Sequence, residues 1–262
     1  MSLQAIIAID RQLLAVLNGS DSLFMDELML TLTSSLTWIP LYFSLLYLVI
    51  KNGETAAQRL FVIGFVALCL LFSAGVADAT VKPLVGRLRP CNDPLLSNEI
   101  DVARNFRPSS YSFFSGHASN TFSLALFITL LVKSRVLTVC LIAWSLINAY
   151  TRLYLGVHYP SDVLVGLVWG AIVGTGTYYA YLRVYRRMAP AVRDRKAVEW
   201  LKTTARVSEG AFESLKTIAN ETADADSTVQ TGIFCSDCVK IVVLAFTASV
   251  VYAVIRSFAA CY

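Results

Sequence analysis

The sequence predicts an all-α fold: a polytopic membrane helical bundle of about six transmembrane helices, preceded by interfacial helices at the N-terminus. Three observations carry this expectation. Mean hydropathy over the 262 residues is +0.61. Charged residues make up only 15% of the chain, against about 25% in a soluble domain. The basic residues gather in short clusters between apolar runs, as membrane topology requires. A net charge of +4 does not indicate a nucleic-acid partner here, because the cations are not interleaved with aromatics along a soluble face.

Taken in order, residues 3–17 place Leu3, Ile6, Ile7, Leu13, Leu14 and Leu17 at helical spacing, interrupted by Asp10 and Arg11. A short helix lying on the membrane surface is expected, and Asp21 to Thr33 reads the same way. Met1 to Ser20 lacks the basic start of a cleaved leader, so the first span is expected to direct insertion. Spans are expected over Leu36 to Ile50, Leu60 to Val81, Ala118 to Val132, Val136 to about Tyr150, Asp162 to about Leu182, and Val239 to Ala260. At 1.5 Å per residue the second easily crosses about 30 Å of hydrocarbon. Within it, Asp78 stands four residues before Lys82 and shares its helix face, so the carboxylate is placed to steer the ammonium; a lysine snorkelling from the interface is the ordinary alternative.

If the spans alternate, Lys51 to Arg59, Lys133 to Arg135 and Arg183 to Lys196 fall on one side, and the positive-inside tendency makes that side cytoplasmic. Lys196 to Ala219 carries an apolar stripe among charges, expected to be an amphipathic cytoplasmic helix, followed by a polar linker, Asn220 to Gln230. The expected organisation is therefore 1–35 interfacial, 36–182 membrane core, 183–238 cytoplasmic tail and 239–262 a final span. Of six cysteines, Cys235 and Cys238 form a lone CxxC. A zinc site needs four ligands, so two unpaired thiols is the favoured reading and no metal is expected.

Three polar clusters then share the outer face: Lys82 to Pro90, Phe114-Ser115-Gly116-His117, and Thr151-Arg152 with His158 and Asp162. They contain both histidines of the chain, the side chain best suited to attack or proton transfer near neutral pH. Phosphoryl transfer needs cations around the equatorial oxygens, an in-line nucleophile and an acid for the leaving oxygen. Lys82, Arg89 and Arg152 supply charge, and arginine matches phosphate geometry bidentately. Ser115, Gly116 and His117 stand where a loop enters a helix, whose first amides face an anion. Pro160 suits the first helical position, leaving His158 on the loop before and Asp162 in the first turn, near the imidazole. From the residues alone either histidine can be the one that attacks, with Asp162 favouring His158.

The pattern Lys82-x6-Arg89-Pro90, Ser115-Gly116-His117 and Arg152-x5-His158-x3-Asp162 resembles the type 2 phosphatidic acid phosphatase (PAP2) superfamily, which includes the vanadium haloperoxidases. The likeness extends to a helical core from about Leu60 to Leu182. Two positions depart from the family pattern: Phe114 replaces the usual proline, which puts the site entrance in question, and Thr151 replaces a serine. The resemblance implies that His158 forms a phosphohistidine, Asp162 orients it and His117 protonates the leaving oxygen. Lys82, Arg89, Ser115, Gly116 and Arg152 then hold the phosphate, with no cofactor. The implied substrate is a lipid phosphate or pyrophosphate of a bacterial envelope, handled in the inner membrane with the site facing the periplasm. Undecaprenyl pyrophosphate, lipid A phosphate, phosphatidylglycerophosphate and phosphatidic acid are the candidates, and the sequence does not choose among them. Transfer to another lipid, vanadate-dependent halide oxidation and non-catalytic lipid-phosphate binding remain alternatives, and the oligomeric state is open. The segment Cys91 to Ser112, with Arg104 and Arg107, is either a lid or a plain exposed loop.

Overall fold

The computed structural model describes residues 3–53, 55–96, 99–204 and 236–261, with the backbone alone over 188–204. The expected helix at 196–219 and the linker at 220–230 lie largely outside the described residues, as does Cys235. Among the described residues every regular element is helical: α1 (Leu3–Leu17), α2 (Leu23–Thr33), α3 (Ile39–Asn52), α4 (Ala56–Val85), α5 (Gly116–Val132), α6 (Arg135–Tyr154), α7 (Pro160–Thr204) and α8 (Ser236–Cys261), with short 3-10 turns between. α4, α6, α7 and α8 are each long and apolar enough to cross a membrane. The 17-residue α5 is also apolar, and α2 with Ser35–Asn52 passes the same test as a pair bent by 64°.

That bend departs from the expectation of a separate interfacial helix at Asp21 to Thr33. Ser34 is extended (φ −74°, ψ 127°) and breaks the helix, leaving carbonyls at the end of α2 without helical donors. The next turn supplies them: Thr37 Oγ1 donates to Thr31 O at 2.6 Å and Trp38 Nε1 to Leu32 O at 2.8 Å. α4 starts on a capping box in which Thr55 and Gln58 exchange side-chain and backbone bonds. It widens into π-helical turns at Leu71–Gly75 and Ala77–Val81, a distortion common near functional sites. Gly86 ends it with φ +61°, its N–H donating to Lys82 O at 2.9 Å.

Two compact units divide the chain: residues 1–177 with 234–262, and residues 178–233. In the first, α5 and α7 meet along a seam that neither helix's hydropathy announces. A Cβ at Gly166, Gly170 or Gly174 would lie 2.6, 2.7 or 2.5 Å from the carbonyl oxygens of Ser115, Ser119 and Ser123 respectively. Both series step by four residues, so glycines on one helix face serines on the other and the backbones touch, the small-residue packing that drives helix association in lipid. α8 packs by aromatic contacts: Phe246 stacks on Trp38 with centroids 6.0 Å apart, and Phe258 meets Phe24 at 4.5 Å. The second unit carries Arg183, Arg186 and Arg187.

α1 forms over the expected residues, but its charges do not face outward. Asp10 is buried against Arg87 and Ser161, and Leu14 is fully buried with Leu96 and Tyr159. The helix covers the loops that build the site.

Candidate active site

A cavity of about 880 Å³ gathers residues from all three polar clusters: Lys82 and Arg89, Gly116 and His117, Arg152 and His158. Its walls show how each is delivered. Lys82 closes the last turn of α4, buried except for its tip, with Nζ donating to Asp78 Oδ1 at 2.6 Å. The pairing expected from the four-residue spacing is thus present, and it aims the ammonium into the cavity. Arg89 follows on the loop released by Gly86. Its Nε and Nη2 donate to Ser110 O and Oγ at 2.7 and 2.8 Å, and Nη1 donates to Val157 O at 3.0 Å. Burial pulls this guanidinium below its ordinary value, countered by Cys91, Asp162 and Asp78.

Arg152 sits in the last turn of α6, four residues past the expected end of that span near Tyr150. It is buried, with Nη1 donating to Thr33 Oγ1 at 2.5 Å. Its Nε has no partner within the protein, and a buried unpartnered donor is costly unless something else accepts from it. An anion in the cavity would do so.

α5 begins at Gly116, so its first amides have no carbonyl a turn earlier. A Cβ at Gly116 would project to 4.0 Å from Lys82 Nζ; glycine keeps that approach open. His117 is exposed to the cavity. Ser115 departs from the expected role. It is fully buried and absent from the cavity wall; its hydroxyl caps Ala118 N at 3.4 Å and its N–H donates to Asp162 O at 3.0 Å. These bonds commit Ser115 to joining the starts of α5 and α7. Phe114, expected to affect the entrance, is buried against Phe113 and Trp169, with centroids 6.1 and 6.2 Å away.

His158 lies on the turn between α6 and α7, and its Nε2 faces Arg89 Nη1 at 3.1 Å. Asp162 is in the first turn of α7 as expected, but Nδ1 is 3.6 Å from Oδ2, too long for a hydrogen bond. Ser112 bridges the gap: Oγ lies 3.3 Å from Nδ1 and donates to Asp162 Oδ2. Because that hydroxyl gives its proton to the carboxylate, its lone pair accepts from Nδ1–H, and this assignment leaves Nε2 unprotonated. Tyr159 N–H also donates to Oδ2, at 3.0 Å, and Arg87 Nη1 donates to Oδ1, at 2.7 Å. Burial pushes the imidazole down from 6.5 to about 3; Asp162 pulls upward, and Arg89 and Arg152 reinforce the fall. At neutral pH the ring is uncharged and holds a free lone pair.

Sequence reasoning passed over Ser112, Arg87 and Asp10. Ser112 is one of several serines in its loop, with nothing in the pattern to single it out. Arg87 lies inside the first cluster, and Asp10 is a charge in an apolar helix; that oddity was the available signal.

The family model described as the PAP2 superfamily matches residues 59–186. The chain is 35% identical over 181 residues to a lipid A 4'-phosphatase of Bacteroides thetaiotaomicron, covering 69% of this chain and 80% of that one. It is 29% identical over 182 residues to a lipid A 4'-phosphatase of Porphyromonas gingivalis, covering 69% and 76%. Among solved structures, a transmembrane PAP2-type phosphatidylglycerolphosphate phosphatase from Bacillus subtilis aligns with a TM-score of 0.50 at 21% identity, over 70% of this chain and 88% of that one. The last comparison speaks to fold alone. Together with the three motifs meeting in one cavity, these matches establish that the chain belongs to the PAP2 superfamily.

Proposed function

We propose that this multi-pass membrane protein is a lipid phosphatase that removes a phosphate monoester from lipid A or a closely related envelope lipid, with its site on the periplasmic side. The observation that carries the proposal is the convergence of His117, His158, Lys82, Arg89 and Arg152 on one cavity. The first listed relatives, named as lipid A 4'-phosphatases, favour that lipid. The orientation follows from the basic segments at 51–59, 133–135 and 183–196, which lie at the helix ends opposite the motifs.

In the proposed reaction, Lys82, Arg89, Arg152 and the amides at the start of α5 bind the phosphate oxygens. His158 Nε2 attacks phosphorus as the bond to the lipid oxygen breaks, and His117 gives that oxygen its proton. Water then attacks the phosphohistidine, the phosphorus–nitrogen bond breaks, and His117 recovers a proton from the water. Lipid alcohol and inorganic phosphate leave, and the enzyme is restored. Fixed cations carry the charge of the five-coordinate state, the role preorganised donors play in phosphoryl transfer. Asp162, through Ser112, steadies the imidazolium charge that forms on attack.

The test is phosphate release by the detergent-solubilised full chain from lipid A, undecaprenyl pyrophosphate, phosphatidylglycerophosphate and phosphatidic acid, each with and without a chelator. Lipid A is expected to turn over fastest and to be indifferent to chelation. Release from none of them would overturn the proposal, and fastest release from another lipid would reassign the substrate.

A further inference from the structure

The geometry points to Asp10 of α1 as a positioning residue for the nucleophilic histidine, acting through Arg87 and Asp162. This rests on the phosphatase reading above and deepens it. Asp10 lies outside the region the family model matches, yet its carboxylate, 5% exposed, is the far end of a charged chain that stops at His158. Asp10 Oδ2 accepts from Arg87 Nη2 at 2.6 Å and from Ser161 Oγ at 2.5 Å, and Oδ1 accepts from Ser161 N at 2.8 Å. Arg87 uses its other terminal nitrogen on Asp162 Oδ1, 2.7 Å away, and on Ser161 Oγ, 2.8 Å away. Its guanidinium lies flat over Tyr159, 3.7 Å from the ring centroid, and the Tyr159 hydroxyl donates to Asp93, which pairs with Arg11 at 3.6 Å. Two consecutive charges on α1, Asp10 and Arg11, thus grip the turn that carries His158 from opposite sides.

The chemistry explains why a third carboxylate is useful. Asp162 has one oxygen for the Ser112–His158 side and one for Arg87. With Arg87 alone, the carboxylate would be neutralised just where the imidazole gains positive charge on forming its bond to phosphorus. Asp10 supplies Arg87 with a second anion, so the chain Asp10, Arg87, Asp162 keeps a net negative charge facing the ring. It also holds the guanidinium in one plane, and through it the carboxylate. A charge buried on an otherwise apolar helix is expensive and does nothing for the helix itself, which marks it as functional.

The experiment compares wild type, Asp10→Asn, Arg87→Gln and the double variant, all as the full chain in detergent. In Asp10→Asn, kcat on the lipid is expected to fall ~10–100-fold, as when a supporting partner of an active-site ligand is removed. Inhibition by vanadate, which copies the five-coordinate state on the histidine nitrogen, should weaken in step. KM and competitive inhibition by inorganic phosphate should stay within about twofold, since ground-state anion binding is untouched. In the Arg87→Gln background, Asp10→Asn should cost nothing further in kcat. Unchanged kcat in Asp10→Asn, equal loss of phosphate binding, or losses that multiply in the double variant would each overturn the assignment. Should Asp10→Asn not accumulate, Ser161→Ala removes the hydroxyl shared by Asp10 and Arg87 and keeps both charges. It should give a smaller fall in kcat with phosphate inhibition intact, and no fall would overturn the assignment. A wild type that releases no phosphate from any lipid overturns the functional reading as well, whereas an active wild type with an equally active Asp10→Asn sinks only the role of Asp10.

Discussion

The two histidines share a cavity but not a setting. His158 is 1% exposed and engaged at both ring nitrogens, by Arg89 on one side and by Ser112 with Asp162 on the other. His117, second residue of α5, is exposed to the cavity, and among the described residues no hydrogen bond holds its ring. A nucleophile must meet phosphorus along one line, so a fixed ring suits attack. A proton donor must follow an oxygen that departs and a water that arrives, so a less constrained ring suits acid–base work. The contrast between these surroundings separates the proposed roles more clearly than the shared residue type does.

The strongest way to break the comparison is His158→Ala. On the proposed roles it lowers kcat by about four orders of magnitude or more, as loss of a covalent nucleophile does, and abolishes the acid-labile phosphoenzyme seen on quenching with radiolabelled lipid. Residual phosphoenzyme would hand the attack to His117. The next effect is smaller and depends on the substrate. His117→Ala should slow release from a lipid phosphate by ~10²–10⁴-fold, the usual share of general acid catalysis. With p-nitrophenyl phosphate, whose leaving group needs no proton, the burst of nitrophenolate should remain close to wild type. An equal loss on both substrates would remove His117 from the acid role.

What keeps the two rings at a working separation is the first rung of the glycine–serine seam. Ser115 N–H donates to Asp162 O, and a Cβ at Gly166 would lie 2.6 Å from Ser115 O and 3.3 Å from Ala118 Cβ. At the far end, a Cβ at Gly174 would lie 2.5 Å from Ser123 O. Alanine at either position overpacks the seam and should cost ~1–3 kcal/mol, read as a fall in Tm in detergent. Only Gly166→Ala displaces the histidines, and a shift approaching 1 Å costs up to ~10²-fold in rate. Gly166→Ala should therefore lose roughly tenfold or more in kcat at a Tm that Gly174→Ala matches with kcat nearly intact. Equal kcat in the two variants would make the seam purely structural.

Much of this arrangement was legible because its signals are local. Apolar length marked the spans, the four-residue step from Asp78 to Lys82 marked their pairing, and Pro160 placed Asp162 in a first turn. The six expected spans correspond to α3 with its bent partner α2, and to α4, α5, α6, α7 and α8. What escaped was settled by partners distant in sequence. Asp10 meets Arg87 across 77 residues, and Ser112 reaches Asp162 across 50. The steps from Gly166 to Gly170 and Gly174 are visible in the sequence, but which serines they would face is not. α7 continues past the expected end near Leu182 to Thr204, because arginine and alanine sustain a helix where apolar length no longer counts.

The subtlest consequence of His158's burial appears in stability against pH, with no substrate present. In the unfolded chain the ring titrates near 6.5, whereas burial holds the folded value at about 3. Between those values the unfolded chain binds a proton that the folded one refuses. The contribution of neutral His158 is therefore complete above pH 6.5 and declines as pH falls through that window, with a slope of at most about 1.4 kcal/mol per pH unit. His158→Gln cannot titrate, so its Tm should fall less steeply than wild type between pH 6.5 and 4.5. Parallel curves would mean that the ring takes up its proton in the folded protein. The distinction between a sealed nucleophile and an open acid would then rest on hydrogen bonds alone.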